Sequence, residues 1–188
     1  MRITGGEFRG RTVKTPTSGA LRPTQDRVRE SLFNILSPEI KGAIFLDLFS
    51  GSGAVGIEAL SRGAEHVTFV DVDSRHVSSA RANLSSISPT AKASFVRADV
   101  YAWIASYSGA GFTIVFADPP YALGEERGYA HFMATLAERG VVRQGGLFIA
   151  EMTAAQHAEE TPGWDLLRDR KYGCTRICIW RRGDAPSA

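Results

Sequence analysis

Residues 46–56 read LDLFSGSGAVG and join the end of an apolar run to three glycines with the spacing Gly51-x-Gly53-x-x-Gly56. The run at residues 43–48 predicts a buried strand, and residues 54–62 predict a helix directly after the loop. Glycines allow a tight turn here, and they let a ligand approach the backbone at the start of the helix. The stretch therefore predicts the first strand, loop and helix of an α/β ligand-binding fold.

The same alternation of strand and helix continues along the chain on both sides of this loop. Strands are predicted at residues 43–48, 66–70, 94–96, 112–117 and 147–151, and helices at 25–36, 54–62, 74–85, 100–107 and 127–139. Residues 164–171 and 174–181 predict a closing antiparallel hairpin. We expect a Rossmann-like α/β fold, with a mostly parallel sheet and helices on both of its faces.

The ends of the chain differ in character from this α/β region. Residues 1–14 predict two short strands around Gly5-Gly6, which indicates an N-terminal β-hairpin. We expect a hairpin arm at residues 1–20, one α/β domain at residues 21–182 and a disordered tail at residues 183–188.

Positive charge is concentrated near the amino terminus. The chain has 188 residues and a net charge of only +2, but residues 1–29 carry seven basic and two acidic side chains, a balance of +5. This distribution predicts contacts with a polyanion such as RNA, although a solvated charged face has the same pattern. The candidate RNA-binding residues are Arg2, Arg9, Arg11, Lys14, Arg22, Arg27 and Arg29.

Several classes of protein are disfavoured. The chain shows no signal peptide and no apolar run of 18 residues, so we expect a cytoplasmic protein without a membrane segment. The two cysteines, Cys174 and Cys178, lie too far apart along one predicted strand for a disulfide. The four histidines lie singly, so no metal site is expected.

Three acids lie at or just beyond the ends of three consecutive predicted strands. Asp71 lies twenty residues after Gly51, where a carboxylate can hold ribose hydroxyls, although a dinucleotide site shares this feature. Asp47 precedes the loop and suits an ammonium-bearing ligand, which favours S-adenosylmethionine over NAD. Asp99 is placed to accept a hydrogen bond from an adenine amino group, and Val72 to pack on the adenine ring; helix capping and core packing are the alternatives. The predicted cofactor site comprises Asp47, Phe49, Ser50, Gly51, Gly53, Asp71, Val72, Asp99 and Val100.

Asp118-Pro119-Pro120-Tyr121 directly follows the apolar run at residues 112–117, at a strand end where α/β folds place ligands. An exocyclic amine on a nucleobase becomes nucleophilic when acceptors hold its hydrogens and draw its lone pair out of the ring plane. The Asp118 carboxylate and the Pro119 carbonyl can act as these acceptors, because proline restricts the backbone at its own and the preceding position. Tyr121 can stack on the base, an interaction of roughly 1 to 3 kcal/mol. A simple turn after a strand remains the alternative.

Taken in this order, the glycine loop, Asp71, Asp99 and DPPY resemble a class I S-adenosylmethionine-dependent methyltransferase. The blocks RITGGEFRGRTVKTP and LRPTQDRVRESLFNIL are similar to the RsmD family of small-subunit ribosomal RNA guanine 2-amino methyltransferases. This resemblance implies a seven-stranded sheet and methylation of one guanine in 16S rRNA. We expect the rRNA to be bound within a 30S subunit or an assembly intermediate, with naked rRNA as the alternative, and we expect a monomeric enzyme.

Three other functions remain open at this point. A methyltransferase acting on adenine in DNA or RNA would use the same acceptors. An NAD-dependent oxidoreductase would explain the glycine loop and Asp71, but neither DPPY nor the basic segment. A noncatalytic RNA-binding or ribosome-assembly factor could retain the whole fold, since fold alone does not assign function.

Overall fold

The computed structural model describes residues 1–15, 26–119, 129–158 and 160–183. Contacts divide the chain into two compact units, residues 1–100 and residues 101–188. Each unit is described separately.

The first unit contains three parallel strands and three helices. The strand order is β3-β2-β1, with Ile44 paired to His66 and Val67 paired to Ala93. Such parallel pairing requires a crossover helix after each strand. The elements are α1 (Asp26–Ile35), β1 (Ile44–Leu48), α2 (Ala54–Ser61), β2 (His66–Asp71), α3 (Ser74–Ile87) and β3 (Ala93–Arg97).

The core of this unit lies around β1, β2 and α2. Every residue of α2 is buried, as are the last four residues of β1 and the last five of β2. A continuous apolar run is typical of a strand covered on both faces. By contrast, α3 is half exposed, and it begins where the Asp73 carboxylate accepts a hydrogen bond from the Arg75 backbone N–H at 2.8 Å.

The amino-terminal segment folds back on itself within the same unit. Arg2 and Thr12 form an antiparallel bridge, and Ile3 bonds to the backbone of Arg11 and Gly10 on the returning side. The expected reversal is present, but the chain turns over residues 4–10 and forms one isolated bridge, whereas the sequence predicts two short strands around Gly5-Gly6. Of the predicted arm, residues 16–20 lie outside the described part of the chain.

The second unit contains four strands in the order β4-β5-β7-β6. β4 and β5 are parallel, whereas β7 pairs antiparallel to both β5 and β6. Phe148 contacts Phe132 of helix α5, Trp164 and Trp180, so an aromatic cluster fills the core of this unit. The elements are α4 (Val100–Ala105), β4 (Phe112–Ala117), α5 (Tyr129–Glu138), β5 (Val142–Thr153), β6 (Trp164–Tyr172) and β7 (Thr175–Arg182).

The described residues therefore contain seven strands with intervening helices, and the predicted mixed α/β fold class is confirmed. The largest error in a predicted boundary is at β5, which begins at Val142 and not at Leu147. The register of its pairing with β4 shifts between the pairs Phe112–Val142 and Ile114–Leu147. Gly145, which lies in this interval of β5, has a φ of 71°. The glycines that ended the apolar pattern in the sequence lie inside a bulged strand, a position that glycine commonly occupies.

Among the described residues, no helix combines the length and apolarity that crossing a bilayer requires.

Candidate active site

The loop between β1 and α2 is held in a conformation that ordinary residues avoid. Phe49 has a φ of 59°, the one positive value at a non-glycine residue in the described ranges, and Gly51 and Gly53 have values of 53° and 78°. A left-handed backbone conformation at a non-glycine residue costs on the order of 1 to 3 kcal/mol, and it persists only where the surrounding structure imposes it. Backbone bonds from Ser50 N–H to the Val70 carbonyl (3.2 Å) and from Gly53 N–H to the Ser50 carbonyl (2.8 Å) impose it here.

The second and third glycines of the motif are required by close packing. A Cβ on Gly53 would lie 2.8 Å from the Ala80 Cβ, and a Cβ on Gly56 would lie 2.3 Å from Cε1 of Phe69. Both distances are far below a van der Waals contact. The motif therefore brings the start of α2 tightly against β2 and α3, as in nucleotide-binding α/β folds.

This loop also presents unused hydrogen-bonding groups. The N-cap of α2 is Gly53, which provides no side-chain cap. The Ser50 hydroxyl is buried and has no hydrogen-bond partner among the described residues. Because buried polar atoms in native proteins are nearly always bonded, the Ser50 hydroxyl fits a polar ligand that lies against the loop.

Asp47 lies beneath the loop with 1% of its surface exposed. Its Oδ2 accepts a hydrogen bond from the Gly56 N–H at 2.9 Å. Burial raises the pKa of this carboxyl to about 8; the nearby Asp71 charge adds to the rise, and the Gly56 hydrogen bond opposes it. A pKa of about 8 favours the protonated form of this carboxyl at neutral pH. Its predicted contact with an ammonium group stays a prediction.

Asp71 links the end of β2 to the glycine loop. Its carboxylate accepts hydrogen bonds from the N–H groups of Gly51 (2.9 Å) and Asp73 (2.9 Å) and lies 3.2 Å from Nδ1 of His76. These contacts fix the carboxylate in one orientation beside the loop. His76 was not predicted as a site residue; its position five residues after Asp71, on the first turn of α3, is the signal that could have revealed it.

The remaining predicted cofactor residues differ in exposure. Val72 is 61% exposed, which is unusual for a valine at a strand end and leaves an apolar surface open beside Asp71. Asp99 is exposed and directly precedes α4. Val100 is 2% exposed, so its side chain is part of the core and only its backbone can contact a ligand.

In the second unit, Asp118 directly follows β4. Its side chain is half-buried and the adjacent Pro119 is buried, while Pro120 and Tyr121 lie outside the described residues. The Tyr129 hydroxyl, at the start of α5, donates a hydrogen bond to the Glu151 carbonyl at 3.1 Å. Burial, followed by the charge of Asp118, raises the pKa of Tyr129. The hydroxyl therefore stays neutral near the Asp118 carboxylate.

Most of the predicted RNA-binding residues are accessible, with one correction. Those that lie exposed on the first unit are Arg2, Arg9, Arg11, Lys14 and Arg27, whereas Arg22 lies outside the described residues. Arg29 was predicted to contact phosphate, but its side chain is fully buried. Its guanidinium is paired with Glu58 at 3.2 Å and Asp26 at 3.0 Å, and it also donates to the Arg2 carbonyl. Arg29 therefore anchors the amino-terminal segment and is not available to a ligand.

Comparison with known proteins agrees with this fold and shows the family of the chain. The family model described as "Conserved hypothetical protein 95" matches residues 1–181. "Putative rRNA methyltransferase YlbH" of Bacillus subtilis is 37% identical, over 97% of this chain and 99% of its own. "Ribosomal RNA small subunit methyltransferase D" of Escherichia coli K12 is 36% identical, over 97% of this chain and 90% of its own.

A solved structure extends the agreement to three dimensions. The Escherichia coli protein titled "Putative methyltransferase yhhF" superposes with a TM-score of 0.85 at 34% identity, covering 97% of this chain and 98% of its own. The seven-stranded α/β fold, with its glycine loop after β1, is therefore the fold of these methyltransferase relatives. The chain belongs to the family of conserved hypothetical protein 95, as the match over residues 1–181 shows.

Proposed function

We propose that this protein transfers a methyl group from S-adenosylmethionine to the exocyclic 2-amino group of one guanine in 16S rRNA. Methylation of ribosomal RNA is supported by the relatives named as rRNA methyltransferases, which match nearly the whole chain. The observation that carries the finer assignment is Asp118-Pro119-Pro120-Tyr121, directly after β4. The substrate is a 30S subunit or an assembly intermediate, and the enzyme acts in the cytoplasm as a monomer without a metal ion.

The first unit holds the cofactor. Asp71 accepts hydrogen bonds from the ribose hydroxyls, and Val72 covers one face of the adenine. The unpartnered Ser50 hydroxyl supplies one further hydrogen bond. Asp99 accepts from the adenine amino group, and the backbone at Gly51, Gly53, Phe49 and Val100 lines the remaining surface.

Asp47 responds to the charge of the bound cofactor. Burial raises the pKa of its carboxyl to about 8, which favours the neutral form in the free protein at pH 7. A nearby ammonium favours the ionised form, so Asp47 loses its proton as the cofactor binds. The resulting carboxylate keeps its hydrogen bond from Gly56 and stabilises the ammonium, directly or through water.

The second unit activates the nucleophile. When bound, S-adenosylmethionine supplies an electrophilic methyl carbon on a positively charged sulfur. The Asp118 carboxylate accepts one hydrogen of the guanine amine, the Pro119 carbonyl accepts the other, and Tyr121 stacks on the base. These fixed acceptors draw the nitrogen lone pair out of the ring plane and align it, which is catalysis by orientation and preorganised electrostatics. The methylated nitrogen is acidic, so Asp118 or water takes the proton afterwards.

The target guanine has to be unstacked for Tyr121 to reach it, so it lies in a loop or is extruded from its helix. Exposed basic side chains of the amino-terminal segment then bind the neighbouring phosphates. Arg9 and Arg11 are the clearest examples, since both are exposed and the segment is anchored at its base through Arg29 and Glu58.

The test combines a transfer assay with a binding assay. Asp118→Asn preserves the size of the side chain but removes its charge, so methyl transfer to 30S subunits from cells lacking the protein should fall by about 100-fold or more. Binding of S-adenosylhomocysteine, measured by calorimetry, should stay unchanged. Asp165→Asn, at an exposed position of β6, is the matched control and should retain full activity. Wild-type turnover by Asp118→Asn would remove Asp118 from the mechanism.

A further inference from the structure

The turn between β6 and β7 lies on the side of the sheet where the parallel strands β4 and β5 end and where Asp118 follows β4. β4 and β5 run parallel, and Ala117 pairs with Ala150, so the carboxyl ends of both strands lie on this side of the sheet. β7 runs the opposite way beside β5, and its first residue, Thr175, pairs with Thr153. The Tyr172–Thr175 turn of the hairpin therefore lies at the carboxyl ends of β4 and β5.

Strand register brings one basic residue of β6 level with Asp118. Ala117 stands in the row that continues through Ala150, Cys178 and Asp169. The next row, one residue further toward the carboxyl end of β5, contains Glu151, Ile177 and Arg170. Asp118 follows Ala117 by one residue, and β6 is three strands away from β4. At the usual spacing between strands, Arg170 lies about 14 Å from Asp118 across the sheet.

This part of β6 carries an uncompensated positive charge. Arg168, Arg170 and Lys171 are exposed, and none of them forms an ion pair with an acid in the described part of the chain. The intervening Asp169 does not neutralise them, since it is paired with the buried Arg176 at 2.9 Å. We call Arg168, Arg170 and Lys171 the basic edge.

We propose that the basic edge binds backbone phosphates of the rRNA that flank the target guanine. The inference rests on the proposed function. A phosphodiester chain that places one base at Asp118 carries negative charges on both sides of it, within reach of a strand about 14 Å away. Arg170 and Lys171 are adjacent on β6 and both exposed, so one projects from each face of the strand. Phosphate contacts of this kind fix the register of the RNA on the protein without reading its sequence.

A different role of charged edge strands is protection against pairing with another sheet. Either sign of charge protects an edge, but only positive charge binds RNA. Reversal of charge therefore separates the two roles. Arg170→Glu/Lys171→Glu keeps a charged edge and is expected to remain monomeric and folded.

The experiment measures binding of the full chain, saturated with S-adenosylhomocysteine, to 30S subunits from cells lacking the protein, at several salt concentrations. Arg170→Glu/Lys171→Glu should bind about tenfold or more weakly near 0.1 M salt. The negative slope of log affinity against log salt should become shallower by about 1.4, which corresponds to the loss of two phosphate contacts. The neutral pair Arg170→Gln/Lys171→Gln should show the same loss of slope. Arg139→Glu is the matched control, because Arg139 is exposed just after α5, on the side of this unit where β5 begins.

The outcomes are distinct. A lower slope in both double variants, with a wild-type slope in Arg139→Glu, supports the proposal. A wild-type slope in the double variants overturns it, as does an equal loss in Arg139→Glu, which would indicate only the general field of the protein. Failure of the wild type to bind these subunits, or to methylate them when supplied with S-adenosylmethionine in place of S-adenosylhomocysteine, would instead count against the proposed function.

Discussion

Glu58 is the acceptor that holds the amino-terminal segment on the first unit, and replacing it tests this arrangement. Its side chain is fully buried beside that of Arg29. Its two oxygens accept hydrogen bonds from the Thr4 N–H (2.8 Å) and hydroxyl (2.7 Å), the Gly5 N–H (2.8 Å), Arg29 (3.2 Å) and Arg62 (2.9 Å). Glu58→Ala removes all of these acceptors at once.

The main cost is that Arg29 loses its buried partner. Asp26 remains, but its side chain is 48% exposed, so it replaces little of the lost interaction. Removing one partner of a buried ion pair costs about 3 to 5 kcal/mol. For a chain of this length that corresponds to a fall in Tm of roughly 6 to 20 °C. Glu58→Leu combined with Arg29→Met should recover most of the loss, because no charge is then left buried.

Urea unfolding followed by circular dichroism gives the free energy of unfolding. Glu65→Ala is the matched control, since Glu65 is 58% exposed and its oxygen is 4.0 Å from Lys92, a contact worth less than about 1 kcal/mol. The reasoning is refuted if Glu58→Ala destabilises the protein no more than Glu65→Ala does.

Three further predictions concern the cofactor site of the first unit. Gly56→Ala should cost about 1 to 3 kcal/mol in unfolding experiments, because its Cβ would lie 2.3 Å from the Phe69 ring; equal stability would contradict the packing argument. The folded Asp47 carboxyl, with its pKa raised to about 8, keeps a proton that the unfolded chain releases near pH 4. Wild-type stability should therefore fall between pH 4 and 8 relative to Asp47→Asn, and a constant difference over that range would argue against the raised pKa. His76→Ala removes the side chain 3.2 Å from Asp71 and should weaken S-adenosylhomocysteine binding about fivefold in calorimetry, with KM for rRNA unchanged; unaltered affinity would make the contact incidental.

Local sequence patterns were sufficient for the elements around the glycine loop. The predicted strand at residues 43–48 and helix at residues 54–62 differ from β1 and α2 by one residue at one end. Here the apolar run, the glycines and the following helix all favour one structure, and such agreement makes prediction reliable. The start of β5 was missed because Gly145 and Gly146 interrupt the apolar pattern inside a bulged strand.

Long-range pairing could not be predicted from the sequence. Arg29 lies in a run of basic residues and was therefore expected to face a ligand, yet it pairs with Glu58, which is 29 positions away in the chain. Composition shows where charges are concentrated, but only the fold shows which of them are neutralised. The contact between His76 and Asp71 was missed for a related reason, since a single histidine on a helix carries no motif of its own.

The chemistry at Asp118 is tested most directly by the modified nucleoside itself. Small-subunit rRNA would be isolated from cells lacking this protein, from cells with the wild type restored and from cells carrying Asp118→Asn, and its nucleosides measured by mass spectrometry. N2-methylguanosine should be reduced by one residue per rRNA without the protein, restored by the wild type and not restored by Asp118→Asn. An unchanged N2-methylguanosine content in the absence of the protein, or a loss of methyladenosine in its place, would contradict the proposed reaction.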